Sequence, residues 1–208
     1  MELFTFPEPT PGIRGDVIPA FFPTSGGVHS FSFGEAPGPR GADRSGIPFW
    51  GDGAGLSLYR ALQKAGCATV PPSAWRLWDG ARFVEAGLSP SLLGVALSNA
   101  FPRCPSKDGR RFRAPNRAEL QSPENLRRLE DELVLAIHRG AKQVVTLGRC
   151  ARDTLAPIAE KASLCLLALP HPSAQGLLSD APNRGKGARL ADLQTAWEQR
   201  LVRGLLDA

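Results

Sequence analysis

The residue types that could do chemistry in this 208-residue chain gather at three places. Residues 34–55 read GEAPGPRGADRSGIPFWGDGAG, with Glu35 and Asp52 among seven glycines. A carboxylate can hold or activate a water, and a glycine lets backbone come close to a ligand with no Cβ in the way. The carboxamide of Asn99, in SNAF, accepts through one atom and donates through another, so it can read a ligand edge that offers the complementary pair. His171, in PHPS, is a donor when its imidazole is neutral. Each has a plainer reading: a core or turn-capping histidine, an asparagine bonded to nearby backbone, and Asp52 as the N-cap of a helix beginning near Gly55.

Several common chemistries fail on spacing. The glycine-rich stretch lacks the GK[ST] of a triphosphate loop, and GEAPGPRG does not fit GxGxxG. Cys67, Cys104, Cys150 and Cys165 form no CxxC pair, which argues against a zinc ribbon and for reduced thiols. A thiol hydrolase has little to recommend it, because His29 and His138 fall inside a strand and a helix.

The elements that must position these groups follow from the apolar runs. VHSFSF (28–33), LLGVALSNAF (92–101), KQVVTLG (142–148) and LCLLALP (164–170) read as strands covered on both faces. Helical spacing recurs over 55–66, over 149–160 and over 188–206. Another helix follows Ser122-Pro123, with Leu126, Leu129, Leu133 and Ile137 as its apolar stripe. Strand–helix alternation predicts an α/β fold with a mostly parallel sheet. In such sheets ligands bind beyond the carboxyl ends of the strands, where GEAPG, SNAF, GRCARD and PHPS all lie. That placement disfavours a linker role for 34–55. Residues 1–27 read as an irregular N-terminal arm packed on a single domain of 28–208, and 70–91 as irregular but partly buried through Trp75 and Trp78.

No apolar run approaches the roughly 18 residues that span a bilayer, and the first residues lack a signal-peptide pattern, so a soluble cytoplasmic protein is expected. Net charge is +5. The excess is concentrated: RCPSKDGRRFRAPNR (103–117) holds six cations against Asp108, and PNRGKGAR holds three more. Such runs are either solvated loops or phosphate contacts.

GEAPG after the first strand, PF followed by GDGAG, SNAF at the second strand and HPS after the fourth together resemble the uracil-DNA glycosylase superfamily, over roughly residues 28–205. GEAPG is similar to the iron–sulfur family 4, whereas GADRSGIPFWGDGAGLSLYRAL is similar to family 5. Only Cys104 stands where the iron–sulfur branch has a cysteine, so no metal or other cofactor is expected. The resemblance implies a three-layer α/β/α domain with a central four-stranded sheet, acting on DNA as a monomer.

It also implies roles. His171 would donate to uracil O2, Asn99 would pair with N3–H and O4, and Phe49 would stack on the flipped base, with Gly34 and Ala36 lining that pocket. The best-known relatives carry Asp or Asn where this chain has Ala36, which cannot hold water. Asp52, as in family 5, or Glu35, as in family 4, would then serve, with Asp52 ranked first. Pro37, the backbone amides of Gly38, Gly53 and Gly55, and the Ser173 hydroxyl would meet phosphates, with Arg110, Arg111, Arg113 and Lys186 around them. Gln175 or Leu177 would fill the gap left by the extruded nucleotide. Trp50 departs from the small residue usual in family 5. Gly38, where some relatives exclude the thymine methyl with a bulky residue, implies a range extending to other deaminated bases. With no lysine in these motifs, strand cleavage is not expected. The alternative is a member that retains base or DNA binding without hydrolysis.

Overall fold

A computed structural model describes residues 12–208; residues 1–11, part of the expected arm, lie outside the described residues. The chain forms β1 (Val28–Gly34), α1 (Ala42–Ser45), α2 (Gly53–Lys64), β2 (Ala68–Thr69), α3 (Ala74–Leu77), α4 (Gly80–Glu85), β3 (Ser91–Leu92) and β4 (Gly94–Asn99). It continues through α5 (Arg117–Leu120), α6 (Pro123–His138), β5 (Gln143–Leu147), α7 (Arg149–Lys161), β6 (Cys165–Leu169), α8 (Ala174–Asp180) and α9 (Leu190–Leu206). A 3-10 turn at Pro182–Gly185 joins the last two helices.

The main sheet has the order β4-β1-β5-β6 with every pair parallel, the α/β architecture expected. Alternation along the strands feeds two cores. Phe31, Phe33, Ala96 and Val144 meet α6 and α7 on one face. Val95, Leu97, Val145 and Leu147 meet α2, α9 and the 67–88 segment on the other. The pairing puts β1 and β5 in the middle, and their exits carry Glu35 and Gly148 to the carboxyl end of the sheet.

Local sequence explains the main supporting helix. Ser122 Oγ accepts from Asn125 N–H at 3.2 Å and Pro123 sits in the first turn, so α6 starts where the cap and the fixed proline φ favour it. Leu129 and Leu133 are fully buried, each stabilising the fold by roughly 1.5–3 kcal/mol. The expected stripe is shifted: Asn125, Leu129, Leu133 and Ala136 form the buried face, and Ile137 is exposed.

Three other readings are corrected. The run 92–101 is not one strand: the chain breaks at Leu93 between β3, paired antiparallel with β2, and β4, which opens on Gly94 at φ 72°. The run 164–170 is not covered on both faces: β6 is a sheet edge, with Leu166 40% exposed. The stretch 70–91 contains α3 and α4, the latter capped by Asp79, whose carboxylate accepts from Ala81 and Arg82 N–H. Trp75 and Trp78 are partly buried there, stacked 5.2 Å apart. Of the arm, residues 12–27 run along the domain with Ile18 buried and Phe21 bridged to Leu97.

Candidate active site

The 34–55 connection is folded against itself. Asp52 stands at the N-cap position of α2, yet its side chain makes no capping bond. Its carboxylate instead accepts from Gly41 N–H at 3.0 Å through Oδ1, and from Gly38 and Ala42 N–H at 3.1 and 3.2 Å through Oδ2. Burial pushes this carboxyl up to about 6, against the pull of those three amides. A methyl group on Gly38 would stand 2.1 Å from Asp52 Oδ1, and one on Gly55 would stand 1.8 Å from Phe49 O. Glycine at these two positions thus admits the loop's own atoms. The Gly38 and Gly55 amides, expected to be free for phosphate, donate to Asp52 Oδ2 and Asp52 O. Gly53, in the first turn of α2, faces open space.

Trp50, unexplained by the resemblance, anchors this loop from below. It is fully buried, stacks on Phe83 at 4.4 Å, meets Tyr59 edge-on at 5.0 Å and donates through Nε1 to Leu88 O. Trp78 Nε1 donates to Asp52 O at 2.7 Å. Held between these anchors, Phe49 takes φ 64°, a left-handed backbone that costs a non-glycine residue about 1 kcal/mol or more. The result is a ring delivered to β1. A methyl group on Gly34 would stand 2.6 Å from Phe49 Cε1 and Cζ and 2.8 Å from Asn99 Oδ1.

Asn99 is 2% exposed, and its Nδ2 has no hydrogen-bond partner among the described residues. A buried amide left unpaired costs about 1–3 kcal/mol, which a ligand edge accepting from Nδ2 would recover. Sequence reasoning missed what holds it. Arg128 Nη2 donates to Asn99 O at 2.9 Å and to Ala100 O at 3.2 Å, and Asn125 Nδ2 donates to Ala100 O at 2.9 Å. Glu132 accepts from Ser98 Oγ at 2.8 Å and pairs with Arg128. The signal was there: Asn125, Arg128 and Glu132 put polar groups beside the Leu129/Leu133 stripe.

His171 follows β6. Its Nδ1 accepts from Ser173 N–H at 3.3 Å, which leaves the proton of the neutral ring on Nε2. Burial pulls its pKa below the usual 6.5, so the ring is neutral at neutral pH. Methyl groups on Gly148 and Gly176 would stand 3.1 Å from His171 Cβ and 2.3 Å from His171 O, so both glycines let the histidine segment seat closely. Trp197 Nε1 ties Pro170 O at 2.8 Å.

His171 and Glu35 line one cleft of about 730 Å³, with Gly148, Ser173 and Gln175. Burial raises the Glu35 carboxyl above its ordinary range, and no hydrogen bond engages it among the described residues. Of the two carboxylates, therefore, Glu35 faces the cleft with His171 while both oxygens of Asp52 are occupied inside the loop. Ala36 is half-buried beside Glu35 and Pro37 is buried.

Ser173 Oγ caps α8 by accepting from Gly176 N–H at 3.2 Å, and Gln175 is exposed at the cleft. Leu177, the other residue expected to fill the nucleotide gap, is in the core and cannot. Arg110, Arg111 and Lys186 are exposed, whereas Arg113 is forked onto Glu119 at 2.6 and 2.5 Å, so its charge is spent within the fold. The four cysteines are free, and among the described residues no three His, Cys, Asp or Glu side chains gather as metal ligands. No described helix is long and apolar enough to cross a membrane.

The family model described as the uracil DNA glycosylase superfamily matches residues 28–198, most of the chain and every element that builds this site. The chain belongs to that superfamily. Over 125 residues it is 32% identical to the type-5 uracil-DNA glycosylase of Thermus thermophilus, covering 59% of this chain and 47% of that protein. The chain thus spans about half the length of that curated relative. A solution NMR structure from Methanosarcina acetivorans, described as a candidate uracil DNA glycosylase, is similar with a TM-score of 0.44 at 14% identity, over 90% of this chain and 98% of that one.

Proposed function

We propose that the chain is a monofunctional DNA glycosylase that hydrolyses the N-glycosidic bond of uracil, and of other deaminated bases, acting as a monomer in the cytoplasm. One observation carries the reading: the buried Asn99 carboxamide with an unpaired Nδ2, beside the Phe49 ring, at the same end of the sheet as the cleft that Glu35 and His171 line. Membership of the superfamily and the likeness to a type-5 enzyme support it.

In this mechanism the extruded base stacks on Phe49. Asn99 Oδ1 accepts from uracil N3–H while Nδ2 donates to O4, a pattern that cytosine inverts. A wrong base leaves buried polar groups unpaired, and discrimination of that kind is strong. As the C1′–N1 bond breaks, its electron pair leaves with the base and negative charge grows on O2. The Nε2–H of His171 stabilises that charge without transferring a full proton. The sugar becomes oxocarbenium-like. Glu35 holds the water whose oxygen bonds to C1′ and takes up the proton the water loses. Asp52 keeps the loop, and with it Phe49, in place.

The test is a panel of oligonucleotides containing uracil, hypoxanthine, xanthine or a mismatch, in single and double strands, incubated with the chain and then cleaved with alkali at abasic sites. Alkali-labile breaks at uracil are expected; none on any substrate sinks the enzyme. Ala36 favours a second reading, base binding without hydrolysis. That outcome would show specific retention of uracil-containing strands with no breaks.

A further inference from the structure

Phe112 is the one exposed Phe, Tyr or Trp side chain among the described residues, 46% accessible where the others are buried or half-buried. It lies on a short hairpin closed by a bridge between Ser106 and Phe112. The tip is fixed: Asp108 Oδ1 accepts from Arg110 N–H at 2.9 Å, Arg111 N–H at 2.8 Å and Ser106 Oγ at 3.2 Å. The hairpin is also tethered to the site loop. Ile13 N–H donates to Gly109 O, and the neighbouring Arg14 and Gly15 N–H groups donate to the Asp43 carboxylate of α1 at 2.9 and 2.8 Å.

This hairpin leaves the carboxyl end of β4 just after Asn99, so it stands at the end of the sheet where the candidate site lies. Its cations divide into two sets. Arg103 is engaged with Gly15 O and Arg113 with Glu119. Lys107, Arg110 and Arg111 have no side-chain partner among the described residues, and the two arginines immediately precede the ring. A rigid, exposed ring next to unpaired guanidinium groups loses little freedom on binding and suits one ligand class: a nucleic-acid strand whose unpaired base stacks while its phosphates meet the arginines.

We propose that the 104–113 hairpin is a second DNA contact, in which Phe112 stacks on an unpaired base flanking the extruded nucleotide and Arg110 and Arg111 hold adjacent phosphates. The proposal rests on the glycosylase reading for its ligand, yet it is testable without base removal. The experiment measures anisotropy of a labelled single-stranded oligonucleotide lacking uracil, titrated with the full chain at several salt concentrations. The variants are Phe112→Ala, Phe112→Trp and the double Arg110→Ala/Arg111→Ala. Thermal melting checks that each folds as the parent does.

Phe112→Ala is expected to weaken binding five- to a hundredfold with the salt slope unchanged, and Phe112→Trp to restore it. The double arginine variant is expected to lower the slope of log K against log salt by about 1.4. Affinity and slope equal to the parent's in both alanine variants overturn the proposal, as does failure of tryptophan to rescue. Binding that follows these variants with no base released leaves the hairpin standing and sinks the glycosylase. Base release with unaltered affinity in Phe112→Ala does the reverse, and a parent chain that binds no DNA overturns both.

Discussion

Phe49 and Asn99 meet over the bare Cα of Gly34: ring carbons and the carboxamide oxygen both lie within 3 Å of where a methyl group would sit. Gly34→Ala therefore has nowhere to put its Cβ without moving one of them. The variant is expected to lose about 1–3 kcal/mol of stability, the usual range for overpacking, and to slow base release at least tenfold. Melting curves and single-turnover rates check the pair of effects.

Asn99→Ala separates structure from chemistry. Since Nδ2 bonds to nothing among the described residues, its removal deletes an unpaired buried group, and stability should stay within about 1 kcal/mol of the parent. Base release should fall a hundredfold or more. A loss of several kcal/mol with activity retained would make Asn99 a structural residue.

The acid limb of activity is bounded by two groups displaced in opposite directions. Glu35 must be ionised to take a proton, and burial raises its pKa above 4.5. His171 must be neutral to leave the pattern described, and burial lowers its pKa below 6.5. Both groups must lose a proton, so the rate should fall as pH drops, with its midpoint above the 4.5 of an ordinary glutamate. A kcat/KM profile with its acid midpoint at or below 4.5 contradicts the assignment.

Asp52 gives a stability prediction of opposite sense to that of a salt-bridged carboxylate. Its folded-state value of about 6 lies above the ordinary 3.8, so the folded chain binds this proton more tightly. Its contribution is greatest below about 4, declines as pH rises to about 6 and is flat beyond, a change of about 3 kcal/mol. Asp52→Asn lacks the titration. The difference between parent and variant melting curves, followed from pH 4 to 7, should show that decline; a flat difference would place the carboxylate in solvent.

The sheet was legible because four apolar runs of strand length alternate with helical spacing, and β-pairing only had to order them. The candidate site could be outlined from Glu35, Asn99 and His171 because each stands at or just beyond the end of a strand. Sequence could not say which carboxylate faces the cleft. Asp52 and Glu35 share a loop, and only the fold shows Asp52 taking three amides while Glu35 takes none. Glycines mislead in the same way: a missing Cβ at Gly38 or Gly55 signals close approach, but the approaching atoms belong to Asp52 and Phe49. Ile137 was misplaced because periodicity fixes a stripe and not where it ends, and Leu177 because its place just beyond HPS says nothing of which way its side chain faces.

The most direct measurement is single-turnover release of free uracil from a uracil-containing strand by the parent chain, Glu35→Gln and Asp52→Asn, with the released base quantified by mass spectrometry. The account predicts uracil from the parent, a loss of a hundredfold or more in Glu35→Gln, and in Asp52→Asn a smaller loss that follows its altered stability. No uracil from the parent, or release by Glu35→Gln at the parent's rate, would contradict it.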